Sequence, residues 1–281
     1  GSYTDGYVGV APGAELLVVK LKQSKQYLRD FFLIKDDVPA FEESDIMLAL
    51  RFLEDYAIRL GKPLIIIFGL GSANGSRTGA SPLAEMMENL TKKPNISVIT
   101  CMGNEANNKC HYKGTVMSAL VPDVMEINVD GTGKGFTMEI WADSLDILSV
   151  SIESPSGEYV PRIPARMGAS MEYTFLYEGS TVTVDYQITE NVAGMEVIFV
   201  RLKTPVEGTW KFYIYSLTNI KGSYNAWLPL KQFSGQDIYF LKSDPDTTLT
   251  VPAAADGVIS VGAYNHYTGA AYYESGLSLI H

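Results

Sequence analysis

Asn104 and the glycines near it are the residues of this sequence best placed to do chemistry. Gly103-Asn104-Glu105 closes the run Ile96-Ser97-Val98-Ile99-Thr100-Cys101, and Gly69-Leu70-Gly71 closes Leu64-Ile65-Ile66-Ile67-Phe68. Both runs read as buried strands. If they are parallel, their carboxyl ends share one edge, the edge where open α/β sheets bind ligands. Glycine lets a second backbone approach closely, and an asparagine beside it offers an amide NH2 donor. Asn104 also has a plainer reading, as a loop residue that tolerates unusual backbone angles.

Rival chemistries fit less well. A dinucleotide site at Gly69-Leu70-Gly71 would need a third glycine at position 74, which is Asn74, and an acidic residue about 20 residues on, where Glu88 lies inside a helical pattern. No GxxxxGK[ST] occurs. His111, His266 and His281 lack metal-ligand spacing, and Cys101 and Cys110 form no CxxC. Asp123, Glu126 and Asp130 lack the spacing of an EF-hand loop and read as solvated turn residues. No cofactor or metal is expected. His111 and His266 read as polar loop residues, and Cys101 as a buried thiol.

The elements that would position these residues alternate in type. Leu16-Leu17-Val18-Val19 is a β-branched run after Pro12-Gly13. From Ser44, apolar residues at Ile46, Met47, Leu50, Leu53, Ala57 and Leu60 follow helical spacing up to Gly61. The acidic stretch Glu42-Glu43-Ser44-Asp45 suits a helix N-terminus. Ser81-Pro82 opens a second helix, with Leu83, Met86, Met87 and Leu90 as its stripe. This β-α-β-α-β order predicts an α/β fold with a parallel sheet.

From about Val116 to Leu241 the pattern changes to short alternating runs, such as Phe136–Trp141, Thr181–Tyr186, Glu196–Val200 and Lys211–Tyr215. These predict an all-β sandwich, with Trp141, Trp210 and Trp227 in its core. Residues 1–115 and 243–281 are therefore expected to form one α/β domain and 116–242 an inserted β domain. Of the 281 residues, 46% are hydrophobic and 19% charged, with a formal charge of −10. That acidity disfavours nucleic acid and anionic membrane as partners. No apolar run reaches the roughly 18 residues of a membrane helix, and Gly1–Asp5 has no signal-peptide character.

Three blocks carry a resemblance to a known family. Tyr7-Val8-Gly9-Val10-Ala11-Pro12-Gly13-Ala14-Glu15-Leu16 resembles the segment that subtilisin-like serine proteases place after the helix bearing their catalytic histidine. Cys101-Met102-Gly103-Asn104-Glu105 resembles their oxyanion segment, and Thr250-Val251-Pro252-Ala253 through Val258-Ile259-Ser260-Val261-Gly262-Ala263 resembles a later strand. Gly69 to Gly79, and Asn104-Glu105 followed by His111-Tyr112-Lys113-Gly114, resemble the clostridial spore-germination type. Some members of that type carry a jelly roll inserted in the interval where the β module falls here, and Glu207-Gly208-Thr209-Trp210 resembles jelly-roll modules of proprotein-convertase type.

The resemblance implies a parallel-sheet subtilisin-like domain, here incomplete, interrupted by a jelly roll. Asn104 would donate to the oxyanion of a peptide or protein substrate. Gly69, Leu70 and Gly71 would pair with the substrate backbone, and Cys101, Met102 and Gly103 would form the facing wall. Gly69 replaces a usual serine, and Cys101-Met102 replace two alanines, so the pocket is expected to be narrowed or reshaped. The Asp, His (H-G-T) and Ser (G-T-S-M-A) blocks of the family do not occur in the chain, so the chain by itself is expected to be inactive. The resemblance implies a bacterial protein, secreted or spore-associated rather than cytoplasmic. Two rival functions remain: a pseudoprotease that holds peptides, and a glycan-binding role for the β module. Apolar surface left bare by the missing helices would favour a homo-oligomer.

Overall fold

The structure, a computed structural model, describes residues 9–142, 147–166, 168–189, 195–217, 222–265 and 270–271. After a short helix, α1 (Gln26–Phe31), the helical spacing noted above becomes α2 (Glu43–Leu60). It begins one residue before Ser44, with Glu42 at the cap, and Glu43 and Asp45 complement the dipole of its first turn. It ends at Gly61, whose φ of 63° is the left-handed position that glycine adopts without strain. β1 (Leu64–Phe68) follows, then α3 (Pro82–Thr91). The Ser81 hydroxyl accepts from the Ala84 N–H at 3.2 Å, and Pro82 fills the first turn, where an N–H would have no helical partner. β2 (Ile96–Cys101) pairs parallel with β1 from Leu64↔Ile96 to Phe68↔Thr100. Leu50 of α2 and Leu83, Met87 and Leu90 of α3 bury one face of these strands, against Ile66, Phe68 and Val98.

Alternation of apolar and polar residues then builds two antiparallel sheets. Their strands are β3 (His111–Val116), β4 (Asp123–Asp130), β5 (Gly135–Ala142), β6 (Leu148–Glu153), β7 (Tyr159–Ile163), β8 (Ser170–Thr174), β9 (Thr181–Thr189), β10 (Met195–Lys203), β11 (Gly208–Ser216), β12 (Gly222–Trp227) and β13 (Asp237–Phe240). One sheet runs β3-β12-β5-β10-β9-β8 and the other β13-β4-β11-β6-β7. Phe136, Met138 and Ile140 of the first meet Met125, Ile127, Trp210 and Phe212 of the second in one continuous core. The indole N–H of Trp210 donates to the Val206 carbonyl at 3.1 Å, so this fully buried ring leaves no donor unpaired. Trp141 and Trp227, expected in the same core, lie instead with Val197 on the outer face of the six-stranded sheet. The two-residue strand period requires this for Trp141: with Phe136, Met138 and Ile140 inward, it must point outward.

Near its end the chain returns to the parallel sheet. β14 (Ile259–Val261) adds to β2, giving the order β1-β2-β14, and β15 (Tyr264–Asn265) pairs with β16 (Ala270–Ala271). The expected α/β class is thereby overturned. The chain is mostly β, with 37% strand and 15% helix, and a parallel sheet of only three strands is not an α/β subtilisin core. A parallel sheet grows only by adding hydrogen-bonded partners. Leu16–Val19, expected as a strand, pairs with no described residue, and Leu16 is 90% exposed. The sheet's second face is also uncovered: Ile65, Ile67, Ile259 and Val261 are exposed, although parallel sheets are ordinarily covered on both sides.

The two environments predict opposite mutational costs. Trp210→Ala is expected to lower the unfolding free energy by about 3–5 kcal/mol. Ile67→Thr, at a side chain already in water, should change it by less than about 0.5 kcal/mol. Denaturant titration of both variants checks the pair of values.

Candidate functional site

Because β1 and β2 run parallel, the loops that follow them emerge side by side. Gly69, Leu70, Gly71, Cys101, Gly103 and Asn104 all line one cavity of about 1240 Å³. Met102 is the one expected wall residue outside its lining; its N–H donates to the Val261 carbonyl and its carbonyl accepts from the Thr250 N–H, both at 3.1 Å. Cys101, expected to be buried, is partly exposed. Asn104 is exposed; its backbone carbonyl accepts from the Asn108 amide at 3.2 Å, and no described residue hydrogen-bonds its side-chain amide. Among the described residues, none pairs with the backbone of Gly69, Leu70 or Gly71. Ser72, next along, exchanges two hydrogen bonds with Val251, at 3.1 and 2.9 Å.

The facing wall comes from elements that showed no functional pattern in the sequence. Thr137 and Trp141, on the outer face of β5, line the cavity, as do Phe32, Ile34 and Phe41 from the segment around α1 and Leu230 after β12. The outward alternation of Trp141 was the one local signal that could have revealed any of them. A second groove, of about 570 Å³, lies between α2 and α3 and is lined largely by paired or solvated charges such as Glu54 and Lys93.

Two partly buried charged side chains fasten the loop after β1 to the sandwich. A Glu139 carboxylate oxygen accepts from the Gly75 N–H at 2.9 Å and from the Trp141 indole N–H at 3.0 Å; burial raises its pKa above the usual carboxylate value. Arg77 donates to the carbonyls of Ala73, at 2.6 Å, and Leu249, and lies 5.0 Å above the Trp227 ring. Burial lowers its pKa to about 10, which leaves it charged at neutral pH. One cation therefore holds the 73–77 loop, the 249 segment and β12 together.

His111 is not the polar loop residue expected. It is fully buried at the start of β3 and stacks on Trp227 with ring centroids 4.9 Å apart. Its Nδ1 donates to the Asp244 carbonyl at 3.0 Å, and its Nε2 lies 3.0 Å from the Asn225 amide. The Thr247 hydroxyl lies beside the ring but donates to the Asp246 carbonyl at 2.7 Å. Among the described residues no serine hydroxyl is hydrogen-bonded to a histidine; His266 and His281 lie outside those residues, as do Tyr7 and Val8. Burial pushes the Cys110 thiol up to about 12, which keeps it protonated. Asp123, expected as a solvated turn residue, accepts from the Tyr112 and Tyr224 hydroxyls at 3.0 and 2.8 Å.

His111 yields a prediction about pH. Burial lowers its pKa in the fold, so the unfolded chain takes up a proton that the folded protein refuses. Stability should be full above the ordinary histidine value and fall as pH drops through it. His111→Gln should remove that slope, by comparison of urea midpoints between pH 7.5 and 5.

The glycine-containing loops of a small parallel sheet are thus set against an antiparallel sandwich. The chain's structure is similar to that of the Clostridium perfringens CspB protease, with a TM-score of 0.76 at 24% sequence identity. The match covers 89% of this chain and 52% of that one, so this chain spans about half the length of the protein it resembles. At that identity the likeness establishes a shared fold. No protein-family model matches the chain, and no curated protein sequence does.

Proposed function

We propose that the cavity holds an extended peptide, and that in the complete protein it is the substrate cleft of a bacterial subtilisin-like serine endopeptidase. The observation that carries this reading is that the backbone of Gly69, Leu70 and Gly71, which pairs with no described residue, shares a cavity wall with the exposed Asn104. A peptide strand laid along the glycines gains backbone hydrogen bonds without meeting a side chain at positions 69 and 71. Its carbonyl would come within reach of Asn104, which would donate to the oxyanion as the tetrahedral intermediate forms. Cys101 and Gly103 would bound the side-chain pocket from the opposite side. In this reading segments 1–115 and 243–281 carry the cleft, and 116–242 is an inserted domain of jelly-roll type whose β5 closes one wall. The shared fold with a protease supports the reading, and so do the three sequence blocks. The serine, histidine and aspartate of the triad would come from other parts of the protein.

A fluorophosphonate probe applied to the complete protein tests the enzymatic reading. Labelling of one serine is expected, and Asn104→Ala should lower kcat by about 10²–10³ with little change in KM. Folded complete protein that takes up no label would overturn the enzymatic reading in favour of a peptide-holding pseudoprotease.

A further inference from the structure

We infer that the outer face of the five-stranded sheet binds an uncharged oligosaccharide, with the rings of Tyr159 and Tyr213 against the C–H face of a sugar and Glu153, Lys211 and Arg162 on its hydroxyls. The inference is independent of the peptide cleft, which uses the outer face of the other sheet. Strand alternation sends Trp210, Phe212 and Ile214 of β11 into the core, so Lys211, Tyr213 and Tyr215 point outward. Ser149 and Ser151 of β6 point the same way, alternating with Leu148, Val150 and Ile152. Both serines are nevertheless fully buried. Side chains from β7 lie across them: the Tyr159 hydroxyl donates to the Ser151 hydroxyl at 2.7 Å, and Arg162 Nε donates to the Ser149 hydroxyl at 2.6 Å. The Tyr159 side chain is thus laid over the sheet, with 44% of the residue exposed. Tyr213 lies beside it, ring centroids 6.0 Å apart and ring planes at 66°. The two rings form a shallow apolar corner on a solvated face.

The polar groups around that corner are held in place. The Tyr213 hydroxyl and the Lys211 ammonium both donate to Glu153, the latter at 2.9 Å. The Arg162 guanidinium lies 4.6 Å above the Tyr215 ring. Across the strands, Lys211 stands opposite Glu126 as well as Glu153. Two cations therefore stand with two carboxylates, and their charges cancel although the chain as a whole carries −10. That balance matches an uncharged ligand better than a polyanion or a basic peptide. A carboxylate accepts, an ammonium and a guanidinium donate, and a sugar hydroxyl does both. A pyranose adds an apolar C–H face that fits the body of a tyrosine ring. A protein partner would ask instead for a patch whose centre is depleted of charge, which a corner flanked by Lys211, Glu153 and Arg162 does not offer.

The test titrates the 281-residue protein with cellohexaose, mannohexaose and chitohexaose, with binding read by isothermal titration calorimetry. At least one is expected to bind. Tyr159→Ala and Tyr213→Ala should each weaken that binding by about tenfold or more, and Tyr213→Phe, which keeps the ring, should weaken it less. Tyr27→Ala, at a tyrosine 62% exposed on α1, should leave it unchanged. Should Tyr213→Ala fail to fold, Tyr159→Ala, at a side chain already half in water, carries the comparison. Absence of binding to all three sugars would overturn the inference. So would binding that the Tyr159 and Tyr213 alanine variants leave unchanged, or that Tyr27→Ala weakens as much. None of these results bears on the peptide cleft.

Discussion

The close contact between the 249–251 segment and the two glycine-containing loops is the constraint on which the rest of this structure depends. Thr250 can bond to the end of β2 only because Gly71 and Gly103 present no side chain to it. Val251 can then pair with Ser72, which fixes the loop after β1. Arg77 completes the junction by donating to Ala73 and Leu249 while resting on Trp227 of the sandwich. Residues from three distant stretches of chain are held in one place by backbone hydrogen bonds and one desolvated cation.

This junction explains why the cavity has two dissimilar walls. One is backbone, with peptide groups that pair with no described residue and little side chain, suited to hold another backbone. The other is the outer face of a sheet that spends its inner face on the sandwich core, leaving Thr137 and Trp141 free to face the cavity. Glu139 links the two, accepting from Gly75 on one wall and Trp141 on the other. The sandwich is thus more than an appendage: it supplies part of the cleft and the ring on which Arg77 rests. His111 belongs to this packing too, stacked behind Trp227 and closed off from solvent.

The uncovered face of the parallel sheet has a separate meaning. Ile65, Ile67, Ile259 and Val261 form an apolar surface of the kind that helices cover in parallel sheets. The helices α2 and α3 both lie on the opposite face, so burial in this sheet is one-sided. Most of the hydrophobic stabilisation in the chain therefore comes from the sandwich, where the side chains of Trp210, Phe212 and Phe136 are almost fully removed from water.

The local signals in the sequence determined the local structure well. The Gly61 stop and the Ser81-Pro82 start appear as read, because capping depends on a few adjacent atoms. The alternating runs became strands, and the two glycine-rich strand ends came together, because parallel pairing of β1 and β2 places them on one edge. Only the tertiary structure decided the rest. The α/β reading failed because strand pairing is non-local: Leu16–Val19 has a strand's composition and no partner among the described residues. Trp141, His111 and Asp123 were misplaced because burial depends on which face a distant element covers. Thr250 could not be singled out at all. A threonine in a short apolar stretch says nothing about two glycines roughly 150 and 180 residues away, and its role exists only where three chain segments meet.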